Sequence, residues 1–276
     1  MRTIFLLTFT CLSLPVLFAQ NCCMPGSTES FAMLTDDAAF IASHLEPEAF
    51  TLADPIGKNI TFKATDGREA YAYEIKAAEA TDNYVFVIHE WWGLNDYIKQ
   101  ESEKIYRELG NVNVIAIDLY DGKVATVRDS AAAYMQSVTT ERAEAIIKGL
   151  LKHVGKKADI ATIGWCFGGG WSLQAAILAG NQAKACVMYY GMPEKDLSKL
   201  KKLHAPVLFI WPEQDKWINQ DVVDEFRKNM KKTGKELEVI SYNADHAFAN
   251  PSNPKYSRAF ADDAFEKAMT LIRKEL

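Results

Sequence analysis

The sequence predicts an α/β fold: a mostly parallel, doubly wound sheet entered through an N-terminal antiparallel hairpin. Six short runs are apolar without alternation: Tyr84 to His89, Val112 to Asp118, Ile160 to Trp165, Ala185 to Tyr190, Val207 to Trp211 and Leu237 to Tyr242. That is the pattern of strands buried on both faces of a parallel sheet. Helical patterns fall between them, over Asp96 to Leu109, Thr139 to His153, Gly170 to Ala179 and Gln220 to Lys232, with a last one over Ala259 to Leu276. Strand and helix in alternation imply right-handed crossovers. The hairpin rests on a different signal. Asn59 to Thr65 and Glu69 to Ala77 alternate apolar and polar residues around Asp66-Gly67, a dipeptide that favours a tight turn.

Ahead of the hairpin, residues 1–19 have the layout of a signal peptide: Arg2, an apolar stretch from Ile4 to Phe18, then Ala19 where cleavage needs a small residue. The stretch is shorter than the roughly 20 residues of a membrane span. An uncleaved anchor or a buried first helix is the alternative. The expected location is therefore secreted or periplasmic, with no integral span after cleavage. Gln20 and Asn21 are not the small residues that precede a lipidated cysteine, which argues against an anchor at Cys22. Cys22 and Cys23 read instead as disulfide candidates in an oxidising compartment. Residues 20–58, rich in Thr, Ser, Asp and Pro, read as an arm with a helix around Asp36 to His44. No Pro/Gly-rich linker divides residues 59–276, which read as one catalytic domain. Asn59-Ile60-Thr61 is a glycosylation sequon only in a host that glycosylates.

Composition narrows the function. At 49% hydrophobic the chain can bury a sizeable core, and a net charge of −5 argues against a nucleic-acid partner. The separated pairs Lys156-Lys157, Lys201-Lys202 and Lys231-Lys232 read as solvated surface.

The densest chemical signal is Gly164-Trp165-Cys166-Phe167-Gly168-Gly169-Gly170, directly after a strand and ahead of a helix. A nucleophile on a sharp strand-to-helix turn needs small neighbours, because the backbone is strained and the helix packs close to the strand. The helix N-terminus favours a thiolate, and the Phe167 N–H would meet a developing oxyanion. A phosphate-cradling loop does not fit, since Cys166 occupies the place of the second glycine of Gly-x-Gly-x-x-Gly and no Lys-Ser/Thr follows. A merely buried cysteine remains the bland reading of Cys166 alone.

Two later strand ends strengthen the chemical one. Asp215 follows the strand ending at Trp211, and His246 follows the strand ending at Tyr242. Nucleophile, acid and histidine thus occur in the chain order of an α/β-hydrolase, all at carboxyl ends of strands. His246 would take and return protons, and Asp215 would hold its tautomer. Glu213 is a rival for the acid, and Asp245 reads as a turn residue. His44, His153 and His204 read as structural. No cluster has metal-ligand spacing, so neither metal nor cofactor is expected. In His89-Glu90-Trp91-Trp92-Gly93, at the end of the first parallel strand, the Trp91 N–H is a candidate second oxyanion donor, and Glu90 would sit close to Cys166. Trp91, Trp92 and Trp217 could wall a pocket for an apolar or planar substrate, or be ordinary packing. A redox pair of Cys166 with Cys186 is disfavoured, because Cys186 lies inside a strand and no Cys-x-x-Cys is present.

These motifs, with Asp118-Leu119-Tyr120, Gln214-Asp215 and His246-Ala247-Phe248-Ala249, resemble the dienelactone hydrolase family in order and across almost all of Asn59 to Leu276. The resemblance implies a Cys–His–Asp triad at Cys166, His246 and Asp215, a part for Glu90 in activating the thiol, and opening of cyclic enol esters through an acyl-enzyme. It also marks two departures. The best-known members hold a substrate carboxylate with two arginines, and Gly122 and Asn250 stand at those positions here. A neutral amide does not replace a bidentate guanidinium. Lys123 is a partial substitute as a point charge, so Lys123, Trp92, Trp217 and Asn250 are the candidate substrate contacts. The leading reading is a cofactor-free hydrolase of a small ester or lactone. The competing one is a secreted, non-catalytic binding or scaffold protein on a hydrolase fold.

Overall fold

A computed structural model describes residues 26–250 and 252–276. Residues 1–19, read as a signal peptide, and Cys22 and Cys23 lie outside the described residues. The strands are β1 (Lys58–Lys63), β2 (Glu69–Ile75), β3 (Asn83–Ile88), β4 (Asn113–Ile117), β5 (Asp159–Trp165), β6 (Ala183–Tyr189), β7 (Val207–Pro212) and β8 (Leu237–Tyr242). They form one eight-stranded sheet in the order β1-β2-β4-β3-β5-β6-β7-β8. The β1–β2 hairpin is antiparallel and β3 to β8 pair in parallel, as the sequence patterns imply, and β2 joins β4 antiparallel.

The helices in chain order are α1 (Ser27–Ala32), α2 (Ala38–Ser43), α3 (Asp96–Leu109), α4 (Arg128–Ser137), α5 (Thr140–Val154), α6 (Phe167–Ala179), α7 (Leu197–Leu200), α8 (Gln220–Thr233) and α9 (Arg258–Glu275). Helices α3 and α9 pack together over one side of the sheet, and α5 and α6 over the other. The parallel strands β3 to β7 are covered on both sides, which is why they read as unbroken apolar runs. Strand order reverses at β3, between β4 and β5, so the crevice that such sheets use for binding opens at the carboxyl ends of β3 and β5.

Three expectations change. Helix α4 was not foreseen, because only Ala131 and Met135 of its ten residues are buried and its apolar stripe is correspondingly thin. Helix α6 begins at Phe167, immediately after Cys166, rather than at Gly170. Its first-turn glycines are there for contact: a Cβ on Gly168 would collide with the carbonyls of Ile88 and His89, and one on Gly169 would lie 2.5 Å from Tyr189 O. The arm is no loose lead-in either. The Leu52 N–H donates to Asp96 at 3.0 Å and the Ile56 N–H to Glu103 at 2.9 Å, which pins it along α3. Further back, Ser27, Thr35 and Glu29 bond Gln174, Gln136 and Thr140, so α1 and α2 lie across the carboxyl edge of the sheet.

Candidate active site

Cys166 leaves β5 at φ +56° and ψ −120°, a region that side-chain-bearing residues rarely adopt. The turn is held from both sides. Cys166 N–H donates to Tyr189 O at 2.9 Å, and Gly169 N–H donates to Cys166 O at 3.0 Å. A side chain on Gly164 would strike the Gly168 carbonyl, so only glycine lets α6 approach β5 this closely. The sulfur is thereby lifted off the sheet at the start of α6, beside the Phe167 N–H.

Cys166, His246 and Asp215 form one line. His246 Nε2 lies 3.3 Å from Cys166 Sγ, and His246 Nδ1 lies 2.5 Å from Asp215 Oδ2. The other oxygen of Asp215 accepts the Trp217 and Ile218 N–H groups at 3.0 Å each. Burial alone would raise the Asp215 pKa, but His246 and these amides bring it below the ordinary carboxylate value. Burial works the other way on His246, and Asp215 overcomes it, with Cys166 adding to the effect, to lift the imidazole to about 10. The Cys166 thiol is pushed up by burial, against the pull of His246. Glu213 is exposed and accepts the Ser241 hydroxyl at 2.6 Å, which leaves Asp215 as the acid at His246.

Glu90 is enclosed with them. Its Oε2 accepts the Trp92 N–H at 2.8 Å, while Oε1 meets no hydrogen-bond partner among the described residues. Burial raises its pKa to about 8, although the Trp92 amide, Asn250 and Ser252 favour the anion. Around it, His89 Nδ1 donates to Glu90 O at 2.6 Å, and the Tyr120 hydroxyl donates to Trp91 O at 3.1 Å. Asp118 accepts the amides of Tyr120 and Gly122. The Asp118-Leu119-Tyr120 motif is thus a brace for the loop that carries Glu90 and Trp91.

The remaining candidates divide. Trp91 and Trp92 are buried and meet edge to face at 5.0 Å. Trp217 stands 6.1 Å from the His246 ring and donates to Asp37 of the arm at 3.0 Å. Asn250 is buried with its oxygen turned to the amide and hydroxyl of Ser252. Lys123 lies apart: it is exposed, with Nζ 5.3 Å from the Tyr134 ring, and Gly122 beside it is exposed too. Cys186 faces Ser172 at 3.7 Å, inside the sheet.

His44 overturns its reading as a structural residue. The arm carries its Nε2 to 3.6 Å from Cys166 Sγ, while its Nδ1 lies 2.8 Å from Phe40 O. A carbonyl takes only an N–H, so the neutral ring presents a bare Nε2 to the sulfur. Burial and the neighbouring His246 lower the His44 pKa to about 3. His44, Cys166 and His246 offer ligand atoms within 4.8 Å of one another, a cluster that linear spacing concealed because His44 is 122 residues from Cys166. Phe40 packs against His44, Trp91, Trp217 and His246, and Phe31 stacks on His246. Tyr190, at φ +40°, closes the far side with its ring 5.0 Å from that of His246. Under this cover Cys166 is 1% exposed.

Comparison with known proteins now decides the family. Residues 69–276 match the dienelactone hydrolase family. The chain belongs to that family. A protein of Aquifex pyrophilus called usf is 29% identical over 205 residues, which is 70% of this chain and 88% of that one. A candidate carboxymethylenebutenolidase of Aquifex aeolicus is 27% identical over 206 residues, with the same coverage of 70% and 88%. Among solved structures, a dienelactone hydrolase-like promiscuous phosphotriesterase from metagenomic libraries superposes with a TM-score of 0.67 at 18% identity, over 80% of this chain and 99% of that one. The residues before Glu69, the arm among them, lie outside the family match. Membership makes the chain a hydrolase of ester and lactone type.

Proposed function

We propose that the chain hydrolyses a small, largely apolar ester or lactone through an acyl-enzyme on Cys166. The observation that carries this reading is the unbroken line from Cys166 Sγ through His246 to Asp215, at 3.3 and 2.5 Å, on a strained elbow. His246 Nε2 takes the thiol proton, and Asp215 keeps Nδ1 protonated and stabilises the imidazolium. The sulfur then attacks the carbonyl carbon. The charge that forms on oxygen is met by the N–H groups of Phe167 and Trp91. Collapse breaks the C–O bond, and His246 returns the proton to the leaving alkoxide. A water activated by His246 then cleaves the thioester and restores the thiol. Glu90, largely protonated at neutral pH given its pKa of about 8, spares the thiolate a neighbouring negative charge.

The substrate class follows from what surrounds the sulfur. The lining is aromatic, Asn250 is engaged by Ser252, and Lys123 lies apart, so none of these residues presents a cation to a substrate carboxylate. Substrate reaches the sulfur when α1 and α2 move aside. The signal-peptide layout of residues 1–19 supports action in a secreted or periplasmic setting.

The test compares wild type with Cys166→Ala on aryl esters, lactones and thioesters. Turnover should fall by on the order of 10³-fold or more while the circular dichroism spectrum is kept. Undiminished turnover would end the reading. The burial of Cys166 favours a second reading, a non-catalytic hydrolase-fold protein. That one predicts no turnover by wild type across the whole panel.

A further inference from the structure

We propose that His44, Cys166 and His246 form a binding site for a thiophilic divalent cation, with Zn²⁺ as the ion that fits, and that the ion fastens the N-terminal arm over the thiol. This inference concerns the same sulfur as the hydrolase reading but does not depend on it.

The two sulfur–nitrogen distances suit the ion, and a small closing of the imidazoles toward each other completes the fit. A tetrahedral zinc with Zn–S of about 2.3 Å and Zn–N of about 2.0–2.1 Å holds sulfur and nitrogen ligands about 3.6 Å apart. Cys166 Sγ lies 3.6 Å from His44 Nε2 and 3.3 Å from His246 Nε2, and all three atoms fall within 4.8 Å of one another. Both imidazoles turn the same nitrogen inward. Each has its outer nitrogen engaged as zinc-bound histidines do, His246 with the Asp215 carboxylate at 2.5 Å and His44 with the Phe40 carbonyl at 2.8 Å. The thiolate and the Asp215 carboxylate balance the charge of a dication. Phe40, Trp91 and Tyr190 close around the cluster, so the fourth position falls to a single water that enters with the ion.

The ligands come from two parts of the chain. Cys166 and His246 belong to the sheet edge, and His44 ends α2 of the arm. Metal binding therefore joins arm to domain, and the ion enters as the arm closes. Binding displaces the thiol proton of Cys166 and the proton on His246 Nε2, and both go to buffer. The bound form has its nucleophile occupied and its arm clamped, so the same ion would hold the hydrolase shut.

The experiment uses the chain with Cys22 and Cys23 replaced by serine, so that those thiols do not compete. After treatment with chelator and reductant it is titrated with Co²⁺ as a spectroscopic substitute for Zn²⁺. One Co²⁺ per chain is expected, with a thiolate-to-cobalt charge-transfer band and the intense visible bands of tetrahedral cobalt. His44→Ala should weaken binding by on the order of 100-fold. Cys166→Ser should abolish the charge-transfer band, and His153→Ala should change nothing. His44→Phe keeps the ring packing but offers no ligand atom and should weaken Co²⁺ binding as much as His44→Ala, an outcome that a packing role for His44 does not predict. A band that survives His44→Ala, or no tetrahedral spectrum in the parent chain, overturns the site. Each readout is independent of ester hydrolysis, so failure of the hydrolase reading leaves this result interpretable.

Discussion

Glu90 is a carboxyl group sealed inside protein, one of its oxygens without a hydrogen-bond partner among the described residues, and burial raises its pKa from 4.5 to about 8. The folded state therefore binds this proton more tightly than the unfolded chain does. Between those two values the folded chain carries more protons than the unfolded one, so stability falls as pH rises. The contribution is complete below the ordinary carboxylate pKa and is lost as pH climbs through about 8. Glu90→Gln cannot ionise and should remove this slope. Urea unfolding at pH 5 and pH 8 should show wild type losing more stability than the variant, by a few kcal/mol at most. Equal losses in the two proteins would mean that Glu90 is not desolvated in solution. The residue thus costs stability at neutral pH at the point where it bears on the Cys166 thiol.

At the scale of elements, the arm is the part that covers this site. Helix α2 has six residues and cannot hold itself together in water, so its shape depends on docking. Phe40 is its anchor, fully buried among Phe31, His44, Trp91, Trp217 and His246. Truncating a buried phenylalanine to alanine typically costs about 3–5 kcal/mol. Here the loss falls on arm docking rather than on the sheet, which keeps its own core. Phe40→Ala should therefore speed iodoacetamide labelling of Cys166, in the presence of chelator, by roughly 100-fold or more. The melting temperature should move little. A large fall in melting temperature with unchanged labelling would show that the arm opens only with global unfolding.

The whole molecule explains what could be read in the sequence and what could not. The sheet was legible because β3 to β7 are buried on both sides, and burial on both sides writes continuous apolar runs. Cys166, Asp215 and His246 were legible as candidates because each follows a strand, where this fold gathers its loops. His44 was not, since a lone histidine at the end of a short helix carries no periodicity or spacing that ties it to a sulfur 122 residues away. Helix α4 was missed for want of a broad apolar stripe. Arg142 shows the same kind of long-range organisation. It is the buried centre of a cluster that joins three distant segments, reaching Asp66 in the β1–β2 turn at 3.0 Å, the Glu69 carbonyl at the start of β2, and Asp121 after β4. Breaking a fully buried ion pair costs about 3–5 kcal/mol, and exposed pairs are worth about 0–1. The Arg142 side chain is 8% exposed while those of Asp66 and Asp121 are 31% and 39% exposed, which sets the expectation between the two. Arg142→Ala should cost about 1–3 kcal/mol in urea unfolding. Arg142→Lys should recover only a small part of it, because an ammonium cannot span two carboxylates and a carbonyl at once. Full recovery by lysine would reduce the cluster to simple charge and remove the case for Arg142 as the geometric tie between the hairpin and the loop that braces the site.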